Sequence, residues 1–232
     1  MRRPLANRLF NSAIAAACLL VLSPLIALLA LTVKLDSPGP VFYRCRRIGR
    51  GGREFHMLKF RKMHATALGA ALTVAGDERF TRLGRFLARK KLDEIPQLLN
   101  VIAGHMSLVG PRPEDPSFVA LRWADYVEIL KVRPGITGLT QLAFANESEI
   151  LDSDDPIGDY VRRLLPQKVQ IDRLYVARRS VVMDIRILAW TAITLFLKRN
   201  VAIHRSSGRI TLRRRSASAV EESLQVDAVG AS

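Results

Sequence analysis

The sequence contains few of the residues on which metal sites and disulfide frameworks depend. Only two cysteines, Cys18 and Cys45, occur among its 232 residues. Cys18 lies inside a long apolar run, so a disulfide framework is not expected, and a reducing compartment fits. The four histidines are scattered without ligand spacing, and no HExxH, CxxC or serine nucleophile-elbow motif is present. These absences argue against a structural or catalytic zinc site.

Acidic and aromatic residues are also scarce. The chain has 21 acidic and 36 basic residues, a net charge of +15 and a pI of about 10.8. This imbalance predicts an anionic partner, which could be nucleic acid, anionic lipid or a phosphorylated substrate. Aromatic residues make up only 6%, and there is no zinc-finger or RNP pattern. We therefore expect no nucleic-acid partner, although a membrane-tethered nucleic-acid binder is the alternative that charge alone suggests.

One long apolar run, Leu9 to Val33, is present and carries no charge. It is long enough to cross a bilayer core of about 30 Å. The residues that follow, 34–36, do not fit a signal-peptide cleavage site. Basic residues flank both ends, so both flanks qualify as cytoplasmic.

The middle of this run holds Ser23 and Pro24. Proline interrupts the hydrogen-bond ladder of a helix, and a serine hydroxyl can satisfy the freed backbone groups. Two alternatives follow: a helix that spans the membrane, and a re-entrant helix that enters, turns at Ser23-Pro24 and leaves on the same side. We favour the re-entrant form because it explains both basic flanks.

Residues 90–114 are the most informative segment, because they combine a helical pattern with adjacent acids. Asp93 and Glu94 stand where a helix is predicted to begin, with Pro96 in its first turn. Gly104 is a plausible end of this helix. The apolar residues recur at helical spacing, as Ile95, Leu98, Leu99 and Ile102.

This pattern makes Asp93 a candidate N-cap at the positive end of a helix dipole. Helix N-termini also attract phosphate, and Lys90, Lys91 and Arg112 add positive charge nearby. An ionised carboxylate among phosphate-binding groups could act as a phosphoryl-transfer nucleophile. The alternative is that Asp93 only caps the helix. Glu94 would point roughly 100° away from Asp93 on a helix, so the two acids would act from different directions.

The rest of the chain predicts short strands and several helices. A helix capped by Thr81, with leucines on one side and arginines on the other, suits an anionic membrane surface. The other predictions are strands at 41–44 and 55–60 around a glycine turn at 48–52, helices at 117–131, 164–179 and 181–197, a solvated acidic loop at 146–159, and disorder from residue 200.

Seven segments together resemble the bacterial sugar transferase family, the monotopic polyprenyl-phosphate phosphoglycosyl transferases. They are KLDSPGPVFYR at 34–44, LKFRKM at 58–63, RFTRLGRFL at 79–87, LDEIPQLLNV at 92–101, MSLVGPRPE at 106–114, RPGITGLTQ at 133–141 and RRSVVMDIRIL at 178–188. They occur in family order and the likeness covers about residues 5–198, so chance agreement is very improbable.

The resemblance implies an α+β, mainly helical monotopic membrane protein. Residues 1–34 would form the re-entrant helix–break–helix anchor. Residues 35–198 would form a small cytoplasmic catalytic domain with amphipathic interfacial helices, and residues 199–232 a disordered tail. The implied location is the cytoplasmic face of the bacterial inner membrane, in contact with anionic inner-leaflet lipids. A homodimer is compatible with this reading.

The resemblance also implies an activity and its residues. Sugar-1-phosphate would pass from a nucleoside diphosphate sugar to polyprenol phosphate through a phosphosugar ester of Asp93, with Mg²⁺ assisting. Asp93 would be the nucleophile and touch the metal, and Glu94 would be its partner. The remaining family positions imply that phosphate or substrate is bound by Lys59, Arg61, Arg89, Arg112 and Gln141, with Arg89 serving because Ala88 fills a position that is often basic. The alternative is a catalytically inactive basic scaffold of the same fold.

Overall fold

A computed structural model describes residues 3–67, 72–151, 154–197, 201–204 and 208–212. Helices dominate, and three two-stranded sheets complete the described part. In chain order the helices are α1 (Arg3–Asp36), α2 (Arg82–Arg89), α3 (Gln97–Ile102), α4 (Pro116–Leu121), α5 (Trp123–Ile129), α6 (Leu139–Ala143), α7 (Glu147–Ile150), α8 (Pro156–Asp159), α9 (Leu165–Arg178) and α10 (Val181–Leu197). The strands are β1 (Phe42–Ile48), β2 (Glu54–Phe60), β3 (Ser107–Val109), β4 (Gly135–Thr137), β5 (Val201–Ile203) and β6 (Ile210–Leu212). The mainly helical class is confirmed.

Helix α1 contains the apolar run and continues through Pro24. The predicted break in the helix at Ser23-Pro24 is therefore not seen. The Ser23 hydroxyl donates to the carbonyl of Leu20 at 2.8 Å, which helps to satisfy the backbone where proline removes a donor. By length and composition α1 could cross a membrane.

Both ends of α1 nevertheless lie against the same folded body. Near one end, the amide of Leu108 donates to Asn11 Oδ1 at 2.9 Å. Near the other, Arg61 Nη2 donates to the carbonyl of Val33 at 3.1 Å. Between these points Ala15 and Leu29 are buried in two different parts of the core. One face of α1 thus packs on the domain along most of its length.

The opposite face of α1 is an exposed apolar stripe. Its large side chains are Leu9, Phe10, Leu20, Val21, Leu28, Leu31 and Leu35. In water such a continuous surface is unfavourable, so the stripe indicates contact with lipid or another apolar environment.

Strands β1 and β2 form the predicted antiparallel hairpin, paired from Phe42↔Phe60 to Ile48↔Glu54. The turn between them needs glycine, because Gly51 and Gly52 have φ of +72° and +75°. Asn100 of α3 fixes this hairpin against the helix. Its side chain accepts from the amide of Leu58 at 2.9 Å and donates to the carbonyl of His56 at 2.8 Å. The middle of β2 is thereby held against α3.

Strands β3 and β4 form a short parallel pair, with Ser107↔Gly135 and Val109↔Thr137 in register. A close approach after β3 requires glycine, since a Cβ on Gly110 would lie 2.5 Å from the carbonyl oxygen of Arg133. The chain then enters Pro111-Arg112-Pro113, and the amide of Gly135 donates to the carbonyl of Pro111 at 2.8 Å. This hydrogen bond fixes the direction of the Pro111–Pro113 segment, and therefore of Arg112, relative to the two-stranded β3–β4 ribbon.

Several predicted elements match the structure and others differ. Helix α10 has the predicted bounds, and Thr81 caps α2 by accepting from the amide of Gly84 at 2.9 Å. The predicted helix at 117–131 is two helices, because the backbone departs from helical geometry at Arg122. The acidic segment at 146–159 contains α7 and α8 rather than only loop.

The start of the predicted disordered tail is folded. Strands β5 and β6 form an antiparallel hairpin, and Val201 is buried beside Leu139 of α6. Apolar residues at Val201, Ile203 and Ile210 give this hairpin a face to bury, which outweighs the polar composition of the segment. The remaining residues of the predicted tail lie outside the described part of the chain.

Candidate active site

The two adjacent acids lie in a short 3₁₀ turn, Leu92–Glu94, that precedes α3. Lys91 before it is left-handed, with φ of +56°. This turn directs Asp93 inward, and the residue is 2% exposed. The prediction that Asp93 caps the helix is therefore wrong: the residue at the N-cap of α3 is Pro96, and no side chain caps that helix.

The two oxygens of Asp93 have different surroundings. Oδ2 lies 3.6 Å from Lys62 Nζ. Oδ1 is buried and has no hydrogen-bond partner within the described protein. A buried acceptor without a partner is costly, on the order of 1–3 kcal/mol, and such groups usually have a functional reason. Oδ1 thus has hydrogen-bonding capacity that the described protein does not use.

Glu94 is held by two cations. Its Oε1 accepts from Lys59 Nζ at 2.8 Å and lies 3.5 Å from Arg112 Nη2. Burial favours the neutral form of this carboxyl group. The charges of Lys59, Arg112 and Lys91 outweigh burial and hold the pKa of Glu94 well below its usual range. Glu94 is therefore ionised at neutral pH and cannot act as an acid there.

The whole site has an excess of positive charge. Two carboxylates, Asp93 and Glu94, are surrounded by the cations of Lys59, Lys62, Lys91 and Arg112. Burial lowers the pKa of Lys62 and, separately, the pKa of Lys91. Uncompensated cations in a partly dry site are suited to a phosphate or diphosphate ligand.

A buried polar network supports the segment that carries Arg112. Glu114 accepts from the hydroxyl of Tyr160 at 2.5 Å and lies 3.4 Å from Lys168 Nζ. Lys168 also donates to the Tyr160 hydroxyl at 2.7 Å. Glu114 thus has its own partners, which leaves the Arg112 guanidinium, 33% exposed, directed at Glu94.

Three predicted ligand residues are not brought to the dyad of Asp93 and Glu94. Arg61 donates to the carbonyls of Val33, Ser37 and Pro38, so it closes the end of α1. Those carbonyls engage both terminal nitrogens of its guanidinium, while its Nε is buried without a partner in the described protein, so its assignment to phosphate binding stays a prediction.

Arg89 and Gln141 also lie away from the ion pairs of Asp93 and Glu94. Arg89 is exposed at the end of α2. Gln141 donates to the carbonyl of Gly135 at 3.1 Å, and its Oε1 is buried without a partner in the described protein. Neither residue has a contact with Asp93 or Glu94 in the described structure.

Lys62 is the site residue that sequence reasoning missed. It follows Lys59 and Arg61 in the same LKFRKM run, and nothing in the run distinguishes the three. If the strand continued, alternation would place Lys59 and Arg61 on one face of the sheet and Lys62 on the other. Because β2 ends at Phe60, Lys62 leaves the strand pattern and reaches Asp93.

The residues present fit a magnesium ion that is shared with a substrate. Mg²⁺ is commonly bound through one or two carboxylates together with substrate phosphates. Asp93 Oδ1 offers a buried anionic oxygen without a protein partner. No cluster of three or more His, Cys, Asp or Glu residues exists within the described residues, so a cage made by the protein alone is not found there.

Comparisons with known proteins identify one family and several similar proteins. The profile of a family described as bacterial sugar transferase matches residues 2–198. Over 197 residues the chain is 40% identical to a UDP-glucose:undecaprenyl-phosphate glucose-1-phosphate transferase from Xanthomonas campestris pv. campestris. It is 36% identical over 201 residues to a protein of the same description from Caulobacter vibrioides. It is 37% identical over 197 residues to the exopolysaccharide production protein PSS of Rhizobium leguminosarum bv. phaseoli.

The matched regions differ in how much of each relative they represent. They cover 81% of this chain and 38% of the Xanthomonas relative, and 84% of this chain and 72% of the Caulobacter relative. For the Rhizobium relative the shares are 81% and 94%. The chain therefore spans well under half of one relative and nearly all of another.

Proposed function

Because the chain belongs to the bacterial sugar transferase family, we propose that it transfers a sugar-1-phosphate from a UDP-sugar to undecaprenyl phosphate. Relatives that are named for this reaction supply the substrate classes. The observation that carries the chemistry is the buried Asp93 carboxylate, one oxygen of which has no protein partner while cations surround it. We place this reaction at the first membrane step of a polysaccharide or glycoconjugate pathway.

In the first step, Asp93 Oδ1 attacks the β-phosphorus of the UDP-sugar. A bond forms between that oxygen and phosphorus, and the bond from phosphorus to the bridging oxygen breaks. UMP leaves with the bridging oxygen, and the sugar phosphate stays on Asp93 as an acyl phosphate. A covalent intermediate divides the transfer into two steps and lets a soluble donor and a lipid acceptor use one site in turn.

In the second step, a phosphate oxygen of undecaprenyl phosphate attacks the phosphorus of the acyl phosphate. The bond to Asp93 breaks, the carboxylate is regenerated, and a lipid diphosphate sugar leaves. Carboxylate and phosphate oxygens attack as anions, so neither step requires the removal of a proton. This agrees with a Glu94 that stays ionised and therefore orients cations rather than carrying a proton.

The surrounding cations stabilise the charge that develops on the transferred group. Lys62 holds Oδ2 and so directs Oδ1 toward the substrate. Lys59 and Arg112 both pair with Oε1 of Glu94. From this position the planar guanidinium of Arg112 can donate two hydrogen bonds to phosphate oxygens. Preorganised charge of this kind is often the largest contribution to catalysis. A bound Mg²⁺, held through Asp93 and the diphosphate, would supply further neutralisation of the leaving UMP.

We also propose that the domain lies on the cytoplasmic face of the inner membrane. A spanning helix would separate its two ends by a bilayer core of about 30 Å. Here Asn11 and Val33, near opposite ends of α1, both bond to the same folded body. A re-entrant or in-plane path keeps those contacts, whereas a full crossing would break one set of them.

The test is release of UMP from a panel of UDP-sugars, with undecaprenyl phosphate and Mg²⁺ present. We expect release with at least one donor, together with a lipid diphosphate sugar in stoichiometric amount. Asp125→Asn is the matched control for Asp93→Asn. It removes a carboxylate of the same type from a surface ion pair with Arg122. No release with any donor, from protein that is folded and membrane-bound, would favour the inactive scaffold.

A further inference from the structure

A second cluster of cations lies away from the dyad, around Gly104. Arg133 Nε donates to the carbonyl of Gly104 at 2.9 Å. Arg8 packs on the same glycine, since a Cβ at residue 104 would lie 3.1 Å from Arg8 Nε. Gly104 has φ of +78°, so glycine is favoured by the backbone, and its lack of a side chain makes room for the Arg8 guanidinium.

Two further arginines act on Arg133 electrostatically. Burial lowers the pKa of Arg133, and the charges of Arg50 and Arg8 lower that pKa further. Arg179 contributes in the same direction. The amide of Gly51, beside Arg50, donates to the carbonyl of Leu130 at 2.8 Å, which brings the hairpin turn to the chain segment just before Arg133.

Three of the four arginines have no carboxylate partner in the described part of the chain. The fourth, Arg179, lies 4.0 Å from Asp184. Among the described residues, Arg8, Arg50 and Arg133 have no acidic partner within salt-bridge distance. Some exposed arginines elsewhere do have one, as with Arg162 and Asp155 at 2.9 Å. Like charges in one region repel one another, and a bound anion would reduce that repulsion.

The position of the cluster suggests what that anion is. Arg8 directly precedes Leu9 and Phe10, which begin the exposed apolar stripe of α1. Arg179 closely precedes Val181 and Val182, which begin an exposed apolar face on α10. Both helices flank the β3–β4 ribbon, because Asn11 bonds to Leu108 and Thr191 bonds to Thr137. Two of the arginines therefore lie where the exposed apolar faces of α1 and α10 begin.

From this arrangement we infer that Arg8, Arg50, Arg133 and Arg179 form a binding site for the headgroup phosphate of an anionic phospholipid. The lipid's acyl chains would lie along the exposed faces of α1 and α10. Guanidinium groups bind phosphate through two parallel hydrogen bonds, and basic residues at a membrane surface attract anionic lipids. The site is separate from the dyad, so this inference does not depend on the reaction proposed above.

The test uses the full chain, purified in a neutral detergent and titrated with short-chain phosphatidylglycerol. Thermal unfolding reports binding, because a ligand of the folded state raises Tm. We expect phosphatidylglycerol to raise Tm more than short-chain phosphatidylcholine or inorganic phosphate at equal concentration. Arg8→Gln combined with Arg50→Gln should weaken phosphatidylglycerol binding about 25-fold, from about fivefold for each basic residue. Neither side chain donates a hydrogen bond within the described protein, so the double variant should fold.

The matched control is Arg162→Gln combined with Arg46→Gln, which removes the same charge from arginines that have carboxylate partners. The control should keep the phosphatidylglycerol response. An equal response to phosphatidylcholine, or equal loss in both double variants, would overturn the inference. So would an equal response to inorganic phosphate, because phosphate alone would then account for binding. If the Arg8/Arg50 variant lost its response to a soluble polyprenol phosphate and kept that to phosphatidylglycerol, the cluster would belong to the acceptor substrate instead.

Discussion

Lys62 Nζ lies 3.6 Å from Oδ2 of Asp93 and leaves Oδ1 of the same carboxylate without a partner. One cation thus distinguishes the two oxygens of the nucleophile that we propose. It attracts the buried carboxylate electrostatically, because the two side chains carry opposite charges. It also restricts rotation of the carboxylate, so that the same oxygen meets each substrate. Lys62 is a positioning residue in this account.

The first prediction concerns Lys62 and pH. Lys62→Met should lower the transfer rate about 100-fold, in the range seen when one stabilising donor is removed. Burial lowers the pKa of Lys62 from its usual 10.5, so the wild-type rate should fall as pH rises through this lowered value. Lys62→Arg keeps its charge over that range and should lose the alkaline fall. A pH–rate profile with the same alkaline limb in wild type and Lys62→Arg would show that Lys62 does not control the rate.

Arg112 should depend on its shape as well as its charge. Arg112→Lys keeps the cation but loses the fork that can hold phosphate at two points, so kcat/KM should fall at least about tenfold. Arg46→Lys is the matched control, since Arg46 pairs with Glu54 on the surface. Near-normal kinetics in Arg112→Lys would mean that Arg112 only neutralises Glu94. Equal losses in both variants would place the phosphate site on the hairpin instead.

Asp172 should make stability depend on pH. Burial raises the pKa of Asp172 from 3.8 to about 7, and the Thr140 hydroxyl donates to it. The folded protein therefore binds this proton more tightly than the unfolded chain, and stability falls as pH rises from about 4 to about 7. Asp172→Asn should abolish this loss of stability. Its Tm relative to the wild type should therefore rise between about pH 4 and about pH 7 and stay constant above about pH 7. Thermal unfolding of both proteins from pH 4 to pH 8 measures the difference. A gain that does not vary with pH would contradict the raised pKa.

The path of α1 predicts a labelling pattern. Asn7→Cys and Lys34→Cys, each in a Cys18→Ser/Cys45→Ser background, should react with an impermeant maleimide from the same, cytoplasmic side. Pro24→Leu restores a full helical ladder and should move label at position 7 toward the opposite side. Reaction of positions 7 and 34 from opposite sides without the Pro24 substitution would show that α1 spans.

Local features of the fold were predictable from the sequence because they depend on neighbours along the chain. The Thr81 cap, the glycine turn of the β1–β2 hairpin and the bounds of α10 all follow from short patterns. The β5–β6 hairpin did not follow, because its stability comes from burial against Leu139, which is distant in sequence.

The candidate site was predictable in part for the same reason. The resemblance identified Asp93 and Glu94, and the structure brings Lys59 and Arg112 to Glu94. The roles of Arg61 and Lys62 could not be told apart, since they depend on where β2 ends and where α1 finishes. The burial of Asp93 likewise depends on the left-handed Lys91, which no residue type at that position signals.

The most direct test of the proposed reaction is to isolate the intermediate on Asp93. Purified protein is incubated with a UDP-sugar that it accepts, without undecaprenyl phosphate, and its intact mass is measured. The account predicts a mass increase of one sugar phosphate, located on Asp93 by peptide mapping, and its loss with lipid product formation when undecaprenyl phosphate is added. Asp93→Asn should show no adduct while it keeps wild-type thermal unfolding. Turnover by Asp93→Asn at a substantial rate, or an adduct on another residue, would contradict it.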